Sequence, residues 1–148
     1  MPHSLGGMQI GFQIVPDLDL VYFRYARVTH SDQIWDAFDR YQNHPDFGPF
    51  QQKLVDLSRV HTAFLDMEEM LKIQEHILAT RPPDDTSGHT VIYCTDDKQR
   101  QVAHSIREIW KPFTNVRIDL TDSVQSTLAH LGKSDPRITD FLTGWAPV

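Results

Sequence analysis

Three times along this chain a short β-rich run gives way, within a few residues, to an acid at helix-capping spacing and then to an apolar helical stripe. Residues 53–59 (Lys-Leu-Val-Asp-Leu-Ser-Arg) lead to Asp66 and Glu69, residues 90–95 to Asp96 and Gln99, and residues 116–121 to Asp122 and Gln125. An Asp at the cap accepts from the free amides of a first helical turn, and an acid or amide three residues on can reach back. The stripes follow at helical spacing. They are Met67, Met70, Leu71, Gln74, Ile77 and Leu78, then Val102, Ile106, Ile109, Trp110 and Phe113, then Val124, Leu128 and Leu131. Strands that alternate with helices need crossover connections, so the pattern predicts an α/β fold with a mostly parallel sheet.

The remaining segments fill in that frame. Ile10, Phe12 and Ile14 alternate with Gly11 and Gln13, the period of a half-buried strand. Pro16-Asp17-Leu18-Asp19 is turn chemistry, and a second strand is expected over 20–28, forming an antiparallel hairpin with the first. Thr29 is expected to cap a first helix, with Asp32 at its positive end. Ile34, Phe38 and Tyr41 share a face of it with Trp35 beside them, and Pro45 ends it near Asn43 by disfavouring a helical His44. Arg81-Pro82-Pro83 should stop the second helix before a flexible loop at 84–88. Gly132 is placed to end the fourth in a left-handed conformation. Ile138, Phe141, Leu142 and Trp145 predict a short terminal helix packed on the body. The expectation is a five-stranded mixed, mostly parallel sheet with an N-terminal hairpin and about four helices. It places one domain over 9–148 behind a flexible leader at 1–8.

Charge and composition narrow the partners. The 14 Lys and Arg against 20 Asp and Glu leave a net charge of −6, with no basic run, which disfavours nucleic acid and anionic lipid. The lone cysteine, Cys94, sits in an apolar run and reads as a small buried hydrophobe that suits a reducing cytosol. No apolar stretch reaches spanning length and residues 1–7 lack signal-peptide features, so a cytoplasmic location without stable membrane insertion is expected.

The chemistry-bearing residues favour binding over catalysis. No Gly-rich loop marks a strand end, and Asp66, Asp96 and Asp122 would occupy the helix amides that could otherwise hold phosphate, so no cofactor is expected. The eight histidines lack the four-residue spacing of a helical zinc motif, so no metal is expected either. Ser58 has no nucleophile elbow around it. Asp56 and Asp119 lie within strands, and for Asp56 a structural pairing with Arg24 or Arg59 is the commoner reading. An enzyme would need Asp56, His61 and His44 to converge in one cleft. His61, Asp66, Met67, Glu68, Glu69, Thr95 and Asp96 instead form a candidate surface for a protein with a basic face. Trp35, Phe38, Tyr41 and Phe47 could line a small apolar pocket, although core packing is the commoner use of such spacing. Phe141 and Trp145 suit a homodimer contact or packing on their own domain equally.

Residues 55–70, with their Asp-Leu-Ser strand end leading to a helix, resemble the central signature of the STAS fold of bacterial anti-sigma-factor antagonists. The nearer resemblance is to SpoIIAA-like proteins, a proteobacterial group described as STAS-like and related to CRAL-TRIO lipid-transfer domains. There a strand, a helix, a His-Pro-x-Phe-like loop and an Asp-bearing strand follow in order. The matching pieces here are 21–28, 31–42, 44–47 and 54–60. In the antagonists a serine opening the second helix is phosphorylated to switch partners. The matching Phe64-Leu65-Asp66-Met67-Glu68-Glu69 carries no hydroxyl, so that switch does not transfer. The resemblance implies a non-catalytic regulatory or protein-interaction domain, with a carrier of a small apolar or lipid-like ligand as the alternative.

Overall fold

A computed structural model describes residues 9–79, 88–113, 115–144 and 148. Strand β1 (Gly11–Val15) runs antiparallel to β2 (Leu20–Arg24), joined by a single 3-10 turn at Pro16–Leu18. Asp19 closes that turn at φ 50°, a left-handed conformation that Asp tolerates better than most side chains. The other strands of the main sheet are parallel: β4 (Gln52–Asp56), β6 (Gly88–Tyr93) and β7 (Val116–Thr121), in the order β1-β2-β4-β6-β7. The expected five-stranded mixed sheet is therefore present. Among the described residues five α-helices accompany it, the fifth being the short terminal helix expected around Ile138, Phe141 and Leu142.

Two expected strands are shorter than the sequence implies. The run 20–28 leaves the sheet after Arg24, and the run 53–59 leaves it after Asp56. Their continuations pair again as β3 (Val28–His30) and β5 (Thr62–Phe64), a parallel two-stranded ribbon outside the main sheet. The His61 and Thr62 amides both donate to the Arg27 carbonyl, at 2.8 and 3.1 Å, and start this second ladder. Intrinsic β-propensity cannot reveal the break, because it depends on where the partner strand turns.

Helices α1 (Ser31–Gln42), α2 (Met67–Leu78) and α3 (Asp97–Trp110) carry the crossovers. Each moves the chain one strand along in the same direction, so crossovers of one hand put all three on one face. There Phe23, Val55 and Ile92 of the sheet pack with Ile34, Phe38, Met70, Ile73 and Ile106. Side chains alternate along each strand, so Leu20, Tyr22, Leu54 and Val91 face the opposite way. They are covered by α4 (Val124–Leu131) and α5 (Pro136–Leu142), through Leu131, Ile138, Phe141 and Leu142.

Several local expectations need correction. Thr29 does not cap α1: its hydroxyl donates to the Ala26 carbonyl at 2.8 Å, and the cap is His30, whose amide donates to Gln33 Oε1 at 2.8 Å. Ser123, not Asp122, caps α4 by accepting from the Ser126 amide at 3.0 Å. Asp66 and Asp96 do cap, accepting from the Glu69 and Gln99 amides at 3.1 and 2.8 Å. Neither Glu69 nor Gln99 reaches back to its own cap. Ser31 Oγ accepts the Asp66 amide instead, at 2.8 Å, because packing brings the start of α1 beside α2. The inner stripe of α2 is Met70, Ile73 and Ile77, while Met67 and Leu71 are exposed. The leader at 1–8, Arg81-Pro82-Pro83, most of the loop at 84–88, and Trp145 lie outside the described residues.

Gly132 ends α4 at φ 70°, with its amide 2.9 Å from the Leu128 carbonyl. Open space surrounds the position a Cβ would take, so only the backbone opposes a side chain there. Gly132→Ala should cost about 1–2 kcal/mol in urea unfolding, the left-handed penalty of an L-residue.

Candidate functional site

In open parallel sheets, ligands meet the chain beyond the carboxyl ends of the strands. The end of β4 is held by a buried polar cluster. The side chain of Asp56 is fully buried and accepts from the Tyr22 hydroxyl and, at 2.9 Å, from the Ser58 amide. Arg59 lies 3.7 Å from the same carboxyl, and Arg24 Nε donates to the Tyr22 oxygen at 3.2 Å. Both arginines proposed as partners thus converge on Asp56, Arg59 directly and Arg24 through Tyr22. The Tyr22 ring stacks on Phe141 at 4.6 Å, and Arg24 Nη2 donates to the Phe141 carbonyl at 3.1 Å, so α5 is tied to the same cluster. Burial first, and then the Asp56 charge, push the Tyr22 hydroxyl well above the usual phenol range.

A second polar group shapes the cleft next to it. Gln99 is buried in the first turn of α3 and uses both ends of its amide. Its Oε1 accepts from the Thr95 amide at 2.7 Å, and its Nε2 donates to the Ser58 and Val60 carbonyls at 3.1 and 3.2 Å. The β4–β5 connection is thereby pinned to α3. Between them opens a cleft of about 570 Å³ lined by Arg27, Arg59, His61 and Lys98, with Asp96 the acid among its walls. The chain as a whole is acidic, yet this crevice is cationic.

The seven residues expected to form one surface separate into two places. His61, Thr95 and Asp96 line the cationic cleft. Asp66, Met67, Glu68 and Glu69 open α2 on the far side of β5, where Phe64 also stands out into solvent. Sequence reasoning missed Arg27, Lys98 and Phe64. A signal existed for Lys98: a cation in the first turn of a helix opposes the macrodipole and asks for a reason.

The helix-one aromatics also divide. Phe38 and Tyr41 are buried, with Phe38 4.8 Å from Phe23 and Tyr41 4.9 Å from Phe47. Trp35 faces outward, its ring tilted against His76 at 4.6 Å. A cavity of about 60 Å³ lies between α1, α2, α3 and the sheet, and Phe38 alone of the four lines it. That is room for about two waters, far short of the roughly 300–1,000 Å³ of ligand sites.

His44 and Asp56 do not approach one another. His44 follows α1, its ring edge-on to Phe12 of β1 at 5.9 Å, and its Nδ1 accepts the Asp46 amide at 3.0 Å. Asp56 closes β4 and faces Tyr22, and the cleft that His61 lines includes neither of them. Asp119 pairs with His89 and Arg117, each at 2.9 Å. Cys94 is buried, which pushes its thiol pKa up. Phe141 packs on its own domain, against Tyr22. Among the described residues no cluster of His, Cys, Asp or Glu could hold a metal ion, and no helix is long and apolar enough to cross a membrane. Comparison with family models, with curated proteins and with solved structures finds no match to this chain.

Removing the Tyr22 hydroxyl leaves a buried carboxyl oxygen without its donor. Tyr22→Phe should cost about 1–3 kcal/mol in urea unfolding near neutral pH. The raised Tyr22 and Tyr25 pKa values also carry a sign. Both phenols keep their protons in the fold above the pH at which they lose them unfolded, so stability is intact below about pH 10 and falls as pH rises beyond it. Unfolding followed from neutral to strongly alkaline pH should show this slope, and Tyr22→Phe should flatten it.

Proposed function

We propose that this chain is a non-catalytic STAS-like interaction domain that offers the start of α2 to a protein with a basic face. One observation carries the reading. Phe64, Met67 and Leu71 are exposed by 56, 55 and 43%, beside the carboxyls of Asp66, Glu68 and Glu69. Met67 and Leu71 are four residues apart and therefore neighbours on one helical face. Large apolar side chains grouped in solvent with a charged rim are the usual marks of a docking patch. The partner this surface fits has an apolar anchor framed by Lys or Arg.

Other features support binding over turnover. Asp56 is consumed by structural bonds to Tyr22 and Ser58 on one face of the sheet, and His44 packs on Phe12 of the other face. The sheet with its opening hairpin and three crossovers agrees with the STAS-like resemblance of residues 55–70.

The test is quantitative capture. Partners recovered from native cell extract by the wild-type chain should be lost by the double variant Met67→Asp with Leu71→Asp. For the purified partner, affinity should fall at least about tenfold with that variant and also weaken with salt. Recovery of the same partners at equal affinity by the variant would remove this surface from consideration.

A further inference from the structure

The β3–β5 ribbon leaves one ladder edge open. The Thr62 amide donates toward β3, so strand alternation turns the Ala63 amide and carbonyl to the opposite edge. The ribbon has two strands, and no third pairs with β5 there among the described residues. Across that edge lies α3, separated by a groove of about 390 Å³ whose apolar walls are Ala63, Leu65 and Val102. The groove runs into the cationic cleft, sharing Val60, His61 and Lys98 with it. It thus mixes apolar contacts with the polar Thr62, Gln101 and Ser105 side chains and is positive at one end.

We infer that this groove takes an extended acidic segment of a partner protein, added as a strand along β5 with its acidic end in the cleft. Open edges bind such segments through main-chain hydrogen bonds, while pockets receive alternate side chains. Here Ala63 supplies the donor and acceptor, and Leu65 and Val102 supply apolar contact. Antiparallel pairing, the more stable orientation, brings the peptide's C-terminal end to His61. There Arg27, Arg59 and Lys98 face it; Asp96 is the acid among the lining residues, one of its oxygens already engaged by the Gln99 amide, and Arg59 is shared with the buried Asp56 carboxyl. Arg27 and Lys98 have no side-chain partner among the described residues, so their charge is available to a ligand. The three residues of β5 give an edge of roughly 10 Å, against which about three extended residues can pair before the segment passes into the cleft. This surface is distinct from the Met67–Leu71 patch and does not rest on it.

The probe is a synthetic hexapeptide of alternating Val and Thr that ends in two Glu, titrated into the ¹⁵N-labelled chain. The expected result is a shift of the Ala63 and Leu65 amide signals and slowed hydrogen exchange at Ala63. Replacing the two Glu by Lys, N-methylating the peptide amides that face β5, or introducing Lys98→Glu should each weaken binding about tenfold or more. The Met67→Asp variant should bind as the wild type does. The inference is overturned if the Lys or N-methylated peptide binds equally well, or if no peptide binds at millimolar concentration. It is also overturned if inorganic phosphate reproduces the shifts at Arg59, His61 and Lys98 with Ala63 unmoved, which would mark a small-anion site instead. The N-methylated peptide tests strand pairing on the unaltered protein, so the result survives any misfolding of a variant.

Discussion

Strands β2 and β4 lie side by side, and the chain pairs them twice. They run in parallel register from Leu20 with Gln52 to Arg24 with Asp56, leave the sheet together, and meet again as β3 and β5. At the point of departure the Tyr25 amide donates to the Asp56 carbonyl at 3.0 Å, while the Asp56 side chain is sealed under Tyr22 and bonded to the Ser58 amide. A carboxyl in so dry a place is tolerated only when its lone pairs are met, and breaking such a cluster costs several kcal/mol. The position of the split is thereby set. Everything that reaches beyond the sheet, including the ribbon, the cleft and the start of α2, is hung from that junction.

The two faces of the sheet divide the labour. Three crossover helices cover one side with a mostly apolar seam, and two terminal helices cover the other. The second layer is fastened by polar contacts as well. Arg24 and Tyr22 both reach the Phe141 carbonyl, and Arg137 bridges Asp17 of the opening turn and Asp135 of the α5 cap. Those hydrogen bonds from Arg137 hold the Asp135 carboxyl down at about 2, below the usual carboxylate range. Because Asp17 and Arg137 are exposed and Asp135 is half-buried, solvent screens the pairs, and the grip positions α5 more than it stabilises the fold.

Charge is distributed against the average. A chain with net charge −6 gathers Arg27, Arg59 and Lys98 from three separate segments around one cleft, while Asp66, Glu68 and Glu69 stand together at the start of α2. Opposite signs on neighbouring surfaces give an approaching partner an orientation as well as an attraction. Gln99 makes the arrangement rigid by satisfying carbonyls that the β4–β5 connection would otherwise bury unpaired.

What could be read from residues alone was whatever rests on local periodicity. Val116–Thr121 and its neighbours read as strands, Asp66 and Asp96 as caps, and Gly132 as a left-handed stop, because each depends on atoms within a few residues. Tertiary structure decided the rest. Nothing near Arg24 or Asp56 says that both strands break there, since that follows from a partner some thirty residues away. The same holds for which flank of α2 is buried, for Ser31 replacing Glu69 at the Asp66 amide, and for Arg27 meeting Lys98 in one cleft. Propensity is carried by neighbours in sequence, but pairing, burial and field are properties of neighbours in space.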